Sequence, residues 1–122
     1  MVSNQQIEGR GGAAFTFTGS AGFSHEFLLV AGASRDQQFD DFWKVQVTTT
    51  KEGLKVTQQK LDVKERDGFS ARNGMTAVAW QKSVFMFGGQ DSERDVVFDD
   101  LWVFENGQIK QVDFGVDAQV PK

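Results

Sequence analysis

The chain has no cysteine and no tyrosine, and among its 122 residues it has one histidine and one proline. The missing cysteine excludes disulfides and thiolate metal sites. His25 alone cannot assemble a metal site; its nearest candidate co-ligands, Glu26 and Asp36, lack a ligand spacing. The lone proline, Pro121, leaves every earlier apolar run uninterrupted. Thirteen Lys and Arg against seventeen Asp and Glu give a net charge of −4, which is no footprint for nucleic acid. No apolar run is long enough for a membrane span. The start, Met1-Val2-Ser3-Asn4-Gln5-Gln6, has neither the basic region nor the apolar core of a signal peptide, so a cytoplasmic location is expected. No nucleophile elbow occurs, and no helix follows Gly9–Gly12 to make a phosphate cradle.

What is present is a repeat. Arg10-Gly11-Gly12-Ala13-Ala14-Phe15-Thr16, Phe27-Leu28-Leu29-Val30-Ala31-Gly32 and Phe39-Asp40-Asp41-Phe42-Trp43-Lys44 return in the second half. Their counterparts are Arg72-Asn73-Gly74-Met75-Thr76-Ala77-Val78, Val84-Phe85-Met86-Phe87-Gly88-Gly89 and Phe98-Asp99-Asp100-Leu101-Trp102-Val103. The step is 62 from Arg10 to Arg72, 57 from Gly32 to Gly89 and 59 from Trp43 to Trp102. Unequal steps are the mark of loop insertions, which cost little closure entropy. The first copy carries about five extra residues around Gly19–His25, and the second about two near Asp91–Asp95. Ile7-Glu8-Gly9-Arg10 matches an engineered protease site, but the register of Arg10 with Arg72 assigns that arginine to the repeat.

Each copy reads as four short strands rich in Val, Phe, Thr and Trp and bounded by Gly, Asp, Asn and Ser. The expected strands are Ala13–Thr18, Phe27–Ala31, Phe42–Thr48 and Leu54–Gln59, then Met75–Trp80, Ser83–Phe87, Leu101–Phe104 and Gln108–Val112. Asn106-Gly107 is a strong hairpin signal, and Lys51-Glu52-Gly53 serves in the first copy. Glycine at 88 and 89 indicates positive φ or close backbone approach. The first copy keeps glycine only at Gly32, with Ala31 before it, so the backbone constraint is read as stricter at the second position.

A strand entered through Arg-x-Gly, a second ending in a glycine pair and a third opening Asp-Leu-Trp resemble the kelch repeat over about residues 10–112. The second copy is closer, through Phe87-Gly88-Gly89 and Asp100-Leu101-Trp102. The tryptophan that kelch units carry at the start of the fourth strand is absent, Leu54 and Ile109 standing there instead. The resemblance implies all-β, kelch-type β-propeller blades: two four-stranded antiparallel sheets forming part of a propeller or of a ring completed by oligomerisation. The expected layout is a lead-in over 1–9, a first blade over 10–61, a linker over 62–71, a second blade over 72–114 and a tail over 115–122 leading toward a third blade. Gly32, Trp43, Gly88, Gly89, Asp100 and Trp102 are the motif residues.

Phe27–Val30 and Val84–Phe87 are apolar at every position, so each sheet expects cover on both faces. Two blades leave two faces bare, each of roughly 500 Å². Each bare face forgoes on the order of 10 kcal/mol, as much as the net stability of a domain. The cover is expected from further blades of a longer propeller or from other copies of the chain, three copies giving six blades.

For function, the resemblance implies a non-enzymatic interaction scaffold without cofactor, whose loops bind a protein or an acidic peptide. It places Arg10 and Arg72 at the channel mouth, where guanidinium suits carboxylate recognition; the bland reading pairs them with Glu8 or Asp67. Arg94, in the charged loop Asp91–Asp95, is the third candidate contact. The acid pairs Asp40-Asp41 and Asp99-Asp100 suit a metal or acid–base site, but a catalytic site is used once, and their recurrence favours a structural role as acceptors of backbone N–H bonds before the third strand. Two alternatives remain open. One is a structural subunit of a large assembly. The other is part of a propeller enzyme whose active site lies in other blades, since kelch-type enzymes need His, Tyr or Cys that this chain scarcely has.

Overall fold

The structure, a computed structural model, describes residues 6–64 and 68–113. The expected tail over 115–122, with Pro121, lies outside the described residues, as does Asp67. Strands β1 (Ala14–Ala21), β2 (Ser24–Ala33), β3 (Gln38–Thr50) and β4 (Gly53–Leu61) form one antiparallel sheet in chain order. Strands β5 (Thr76–Trp80), β6 (Ser83–Phe87), β9 (Leu101–Glu105) and β10 (Gln108–Val112) form a second antiparallel sheet, again in chain order. Between β6 and β9 a small hairpin, β7 (Gln90–Asp91) with β8 (Val96–Val97), stands apart as its own pair. The fold is all-β with two four-stranded antiparallel sheets, as the strand pattern requires.

Local chemistry sets the turns. Asn106 and Gly107 both take positive φ between paired Glu105 and Gln108, as a two-residue turn with the twist of a hairpin demands. One expectation is corrected. The inserted segment around Gly19–His25 is not a loop; it lengthens the β1–β2 hairpin, with Ser20 opposite His25 and Ala21 opposite Ser24. A bulge between Phe17 and Gly19 absorbs the odd residue, and Gly22 supplies the positive φ at the tip. His25 is therefore an exposed strand residue. Gln38 extends β3 in the same way, reaching back to pair with Ala33.

The core lies between the sheets. From the first sheet Ala14, Leu28, Val30 and Phe42 point inward; from the second, Val84, Met86, Trp102 and Ile109 meet them. Phe42 stacks on Phe104 with centroids 5.7 Å apart, and Phe69, from the connection between the sheets, packs on Phe42 at 5.3 Å and edge-on to Trp102 at 5.3 Å. Backbone bonds tie the sheets at one end: Gly32 N–H donates to Arg72 C=O at 2.7 Å, Arg72 N–H to Phe39 C=O at 3.1 Å, and Gly74 N–H to Gly12 C=O at 2.7 Å.

The two outer faces differ from the inner ones. On the first sheet Phe15 and Phe17 are 53% and 49% exposed, beside the buried Trp43 and Val45. Ile7 N–H donates to Gln58 Oε1 at 2.6 Å, which holds the lead-in beside β4. On the second sheet Val78, Trp80, Phe85 and Phe87 are 62%, 64%, 37% and 45% exposed.

Phe42 is buried in the joint and packs there on both Phe69 and Phe104. Phe42→Ala is expected to lower unfolding free energy by about 3–5 kcal/mol in a urea titration, the cost of deleting a buried aromatic. A loss under about 1 kcal/mol would mean that the sheets are not held through this residue.

Candidate functional site

The conserved chemistry of the two copies converges on one constellation per sheet. In the second, Arg72 Nη1 and Nη2 donate to Asp100 Oδ1 and Oδ2 at 2.6 and 3.0 Å. Asp100 Oδ2 also accepts from the Trp102 indole N–H at 2.8 Å. The same guanidinium donates to the Gly88 carbonyl at 3.0 Å and the Ser70 carbonyl at 3.0 Å. Its carbon lies 4.0 Å from the Phe98 ring centroid and 4.7 Å from that of Phe69. In the first sheet Arg10 pairs with Asp41 at 2.5 and 3.1 Å, Asp41 accepts from the Trp43 indole at 2.8 Å, and Arg10 donates to the Ala31 and Glu8 carbonyls, each at 3.1 Å. Phe39 lies under this guanidinium at 3.8 Å. A planar guanidinium fits this use because its fork matches a carboxylate while its faces stack on rings.

The expectation that Arg10 and Arg72 form a basic mouth for an acidic peptide is thereby corrected. The Arg72 side chain is wholly buried and that of Arg10 nearly so, and their donors are turned to internal acceptors. The local pairing with Glu8 is corrected too: Arg10 meets only its backbone carbonyl and takes Asp41, in the third strand, as carboxylate partner, while a pairing with Asp67 lies outside the described residues. Asp41 and Asp100 each accept chiefly from a guanidinium and an indole, with a smaller contribution from a backbone N–H of the expected kind.

Burial alone would push the Asp41 carboxyl upward, but the Arg10 hydrogen bond, the Trp43 indole and the guanidinium charge outweigh it and hold the group below the ordinary carboxylate value. Asp100 is held low in the same way, against burial, by Arg72 and Trp102.

The glycine pair is explained by what surrounds it. Residues 31 and 88 are equivalent, with φ of 62° and 74°, and residues 32 and 89 with φ of 106° and 102°. A Cβ on Gly88 would meet only the Phe98 carbonyl at 3.4 Å, so alanine at the first position is tolerated, as Ala31 demonstrates. A Cβ on Gly89 would stand 2.9 Å from the Asn73 carbonyl, and one on Gly32 3.0 Å from Ala13 Cβ and 3.1 Å from the Gly11 carbonyl.

Above this frame the connections of the two sheets come together. Ser34, Arg35, Gln37, Asn73, Ser92 and Glu93 are among the residues around an open cleft of about 370 Å³. Asn73 Nδ2 donates to Gln38 Oε1 at 2.9 Å across the junction. The Ser34 hydroxyl accepts from the N–H groups of Asp36 and Gln37, both at 3.2 Å, which fixes the first turn. Asp91 fixes the other, accepting from the N–H groups of Glu93 and Arg94 at 3.0 and 3.3 Å and from Arg94 Nε at 2.7 Å. The Arg94 hydrogen bond leads in holding the Asp91 carboxyl below its ordinary value. Arg94 thus keeps an exposed side chain but is engaged with Asp91. Arg35, which sequence reasoning passed over, is exposed on the cleft rim. Its signal was its place beside Ser34 in a connection about two residues shorter than its counterpart in the second copy.

Among the described residues no group of three or more His, Asp or Glu is placed to hold a metal ion. Among the described residues there is no helix long and apolar enough to cross a membrane. The chain matches no family model and no curated protein sequence.

Two predictions follow from the frame. Because both carboxyls have folded values below those of the unfolded chain, each ion pair stabilises fully above about pH 4, and that contribution is lost as pH falls through the folded value. Asp100→Asn should therefore cost about 3 kcal/mol at neutral pH, by stranding a buried guanidinium, and should flatten the fall in stability below about pH 4. Equal slopes for variant and wild type in acid denaturation would refute the linkage. Separately, Gly88→Ala should cost about 1 kcal/mol and Gly89→Ala about 3 kcal/mol in thermal unfolding; equal costs would contradict the steric difference.

Proposed function

We propose that the chain is a pair of kelch-type propeller blades acting as a non-enzymatic scaffold that binds a protein or peptide partner through the connections at its glycine-pair end. One observation carries this reading. The internal constellation is duplicated almost atom for atom, whereas the connections it supports differ between the copies: a short turn over 34–37 in one, the β7–β8 hairpin in the other. A rigid frame beneath unlike, well-ordered loops is the arrangement in which loops carry recognition. The cleft between them presents side-chain amides, hydroxyls and one exposed guanidinium, Arg35, beside the carboxylate of Glu93. Polar, mixed-charge linings of this kind suit an extended polar peptide whose acidic group reaches Arg35.

The kelch reading rests on the Arg-x-Gly, glycine-pair and Asp-x-Trp series together with the sheet order. The roles of those residues in one hydrogen-bonded unit per sheet give the series a physical reason to recur. Arg35 takes over the recognition role first expected of Arg10 and Arg72.

The test separates loops from frame. Replacing residues 34–37 and 92–95 with glycine–serine segments should abolish capture of partners from cell extract while shifting the thermal midpoint little, and Arg35→Glu should weaken capture of acidic partners at least about tenfold, the size of one charge-assisted contact. Identical captured proteins with wild type and loop variant would overturn the reading.

A further inference from the structure

The two exposed sheet faces are not alike, and each has a buried twin inside the molecule. At the joint, the second sheet contributes the face bearing Val84, Met86 and Trp102, and the first contributes the face bearing Leu28, Val30 and Phe42. The repeat spacing of 57 to 62 residues identifies the copy of each face. The first sheet's copy of Val84, Met86 and Trp102 is Phe27, Leu29 and Trp43, and this is its outer face, with Phe15 and Phe17 beside them. The second sheet's copy of Leu28, Val30 and Phe42 is Phe85, Phe87 and Leu101, and this is its outer face. The two described sheets therefore expose, on one side, a copy of one half of their internal joint and, on the other, a copy of the other half.

From this we infer that the exposed faces bind one another between copies of the chain, head to tail, with the outer face of one copy's first sheet on the outer face of the next copy's second sheet. The internal joint is the template, and the contact repeats a packing the sequence already encodes. The lead-in extends the match. Ile7 precedes Arg10 by three residues as Phe69 precedes Arg72, and Phe69 is the wedge that fills the internal joint between Phe42 and Trp102. Ile7, whose backbone N–H is held by Gln58 of β4, is thus the positional counterpart of that wedge. A face-to-itself contact has no such template, since like faces meet nowhere in the molecule. Head-to-tail contacts close into a ring when the rotation between units fits and otherwise extend. The inference is independent of what the cleft binds.

The test is sedimentation of wild type and two variants. Wild type should exceed the mass of one chain at high concentration. Phe17→Glu blocks one face and Phe85→Glu the other, both at exposed positions, so each variant alone should sediment as a single chain. Mixed in equal amounts, the two should form a one-to-one dimer and nothing larger, because only one productive pair of faces remains. A wild type that stays a single chain, a variant that self-associates alone, or a mixture that does not pair would each overturn the inference. Phe15→Glu and Phe87→Glu place charges on the same two faces and repeat the test should a first variant fail to fold.

Discussion

The structure depends on placing a guanidinium where no water reaches it. Arg72 enters the interior because Asp100 neutralises it, carbonyls from Ser70 and Gly88 take its other hydrogens, and two phenylalanine rings cover its faces. None of these partners would suffice alone, since an ion removed from water is tolerated only when charge and hydrogen bonds are both satisfied. Together they staple three separated points of the chain: the entry to the first strand, the end of the second and the approach to the third. The glycine pair belongs to this staple. Its positive φ values turn the chain so that the carbonyl of residue 88 faces the guanidinium, the Gly89 carbonyl accepts from Phe98 N–H, and the equivalent Gly32 donates its N–H to the Arg72 carbonyl.

That the same staple is built twice explains why the two halves stay recognisable while other positions drift. Phe15 and Phe17 stand where the second half has Ala77 and Ala79, and Val30 where it has Phe87. Packing positions of this kind exchange volume with their neighbours. A hydrogen-bonded ion cannot, because any change of partner leaves it unsatisfied.

Much of this was legible in the sequence. Strand positions followed from alternation and from turn residues, and the second sheet lies within a residue of its expected limits. The stricter second glycine was legible because Ala31 had already replaced the first. What escaped was pairing at a distance. Arg72 and Asp100 are twenty-eight residues apart, and nothing local links them, so neighbouring acids looked like the better partners. The recurrence of arginine, aspartate, tryptophan and phenylalanine together was the available signal, and it pointed to mutual contact more than to a surface. The first hairpin was misread for a different reason. Gly19, Ser20 and Gly22 are loop formers by composition, and only the register with β3, where the Ser24 and Thr48 hydroxyls bond at 3.0 Å, keeps that segment extended.

That overhanging hairpin has a practical meaning. Its tip, Gly22-Phe23, projects beyond the span that the shorter second sheet covers, and it is lined by serine and threonine more than by aromatic side chains. Comparison of the two halves makes the molecule a record of its own tolerance: added length has been accepted there without disturbing the stapled end. A fluorophore, an affinity tag or a grafted epitope has its natural attachment point at that tip, on the pole opposite the glycine-pair end.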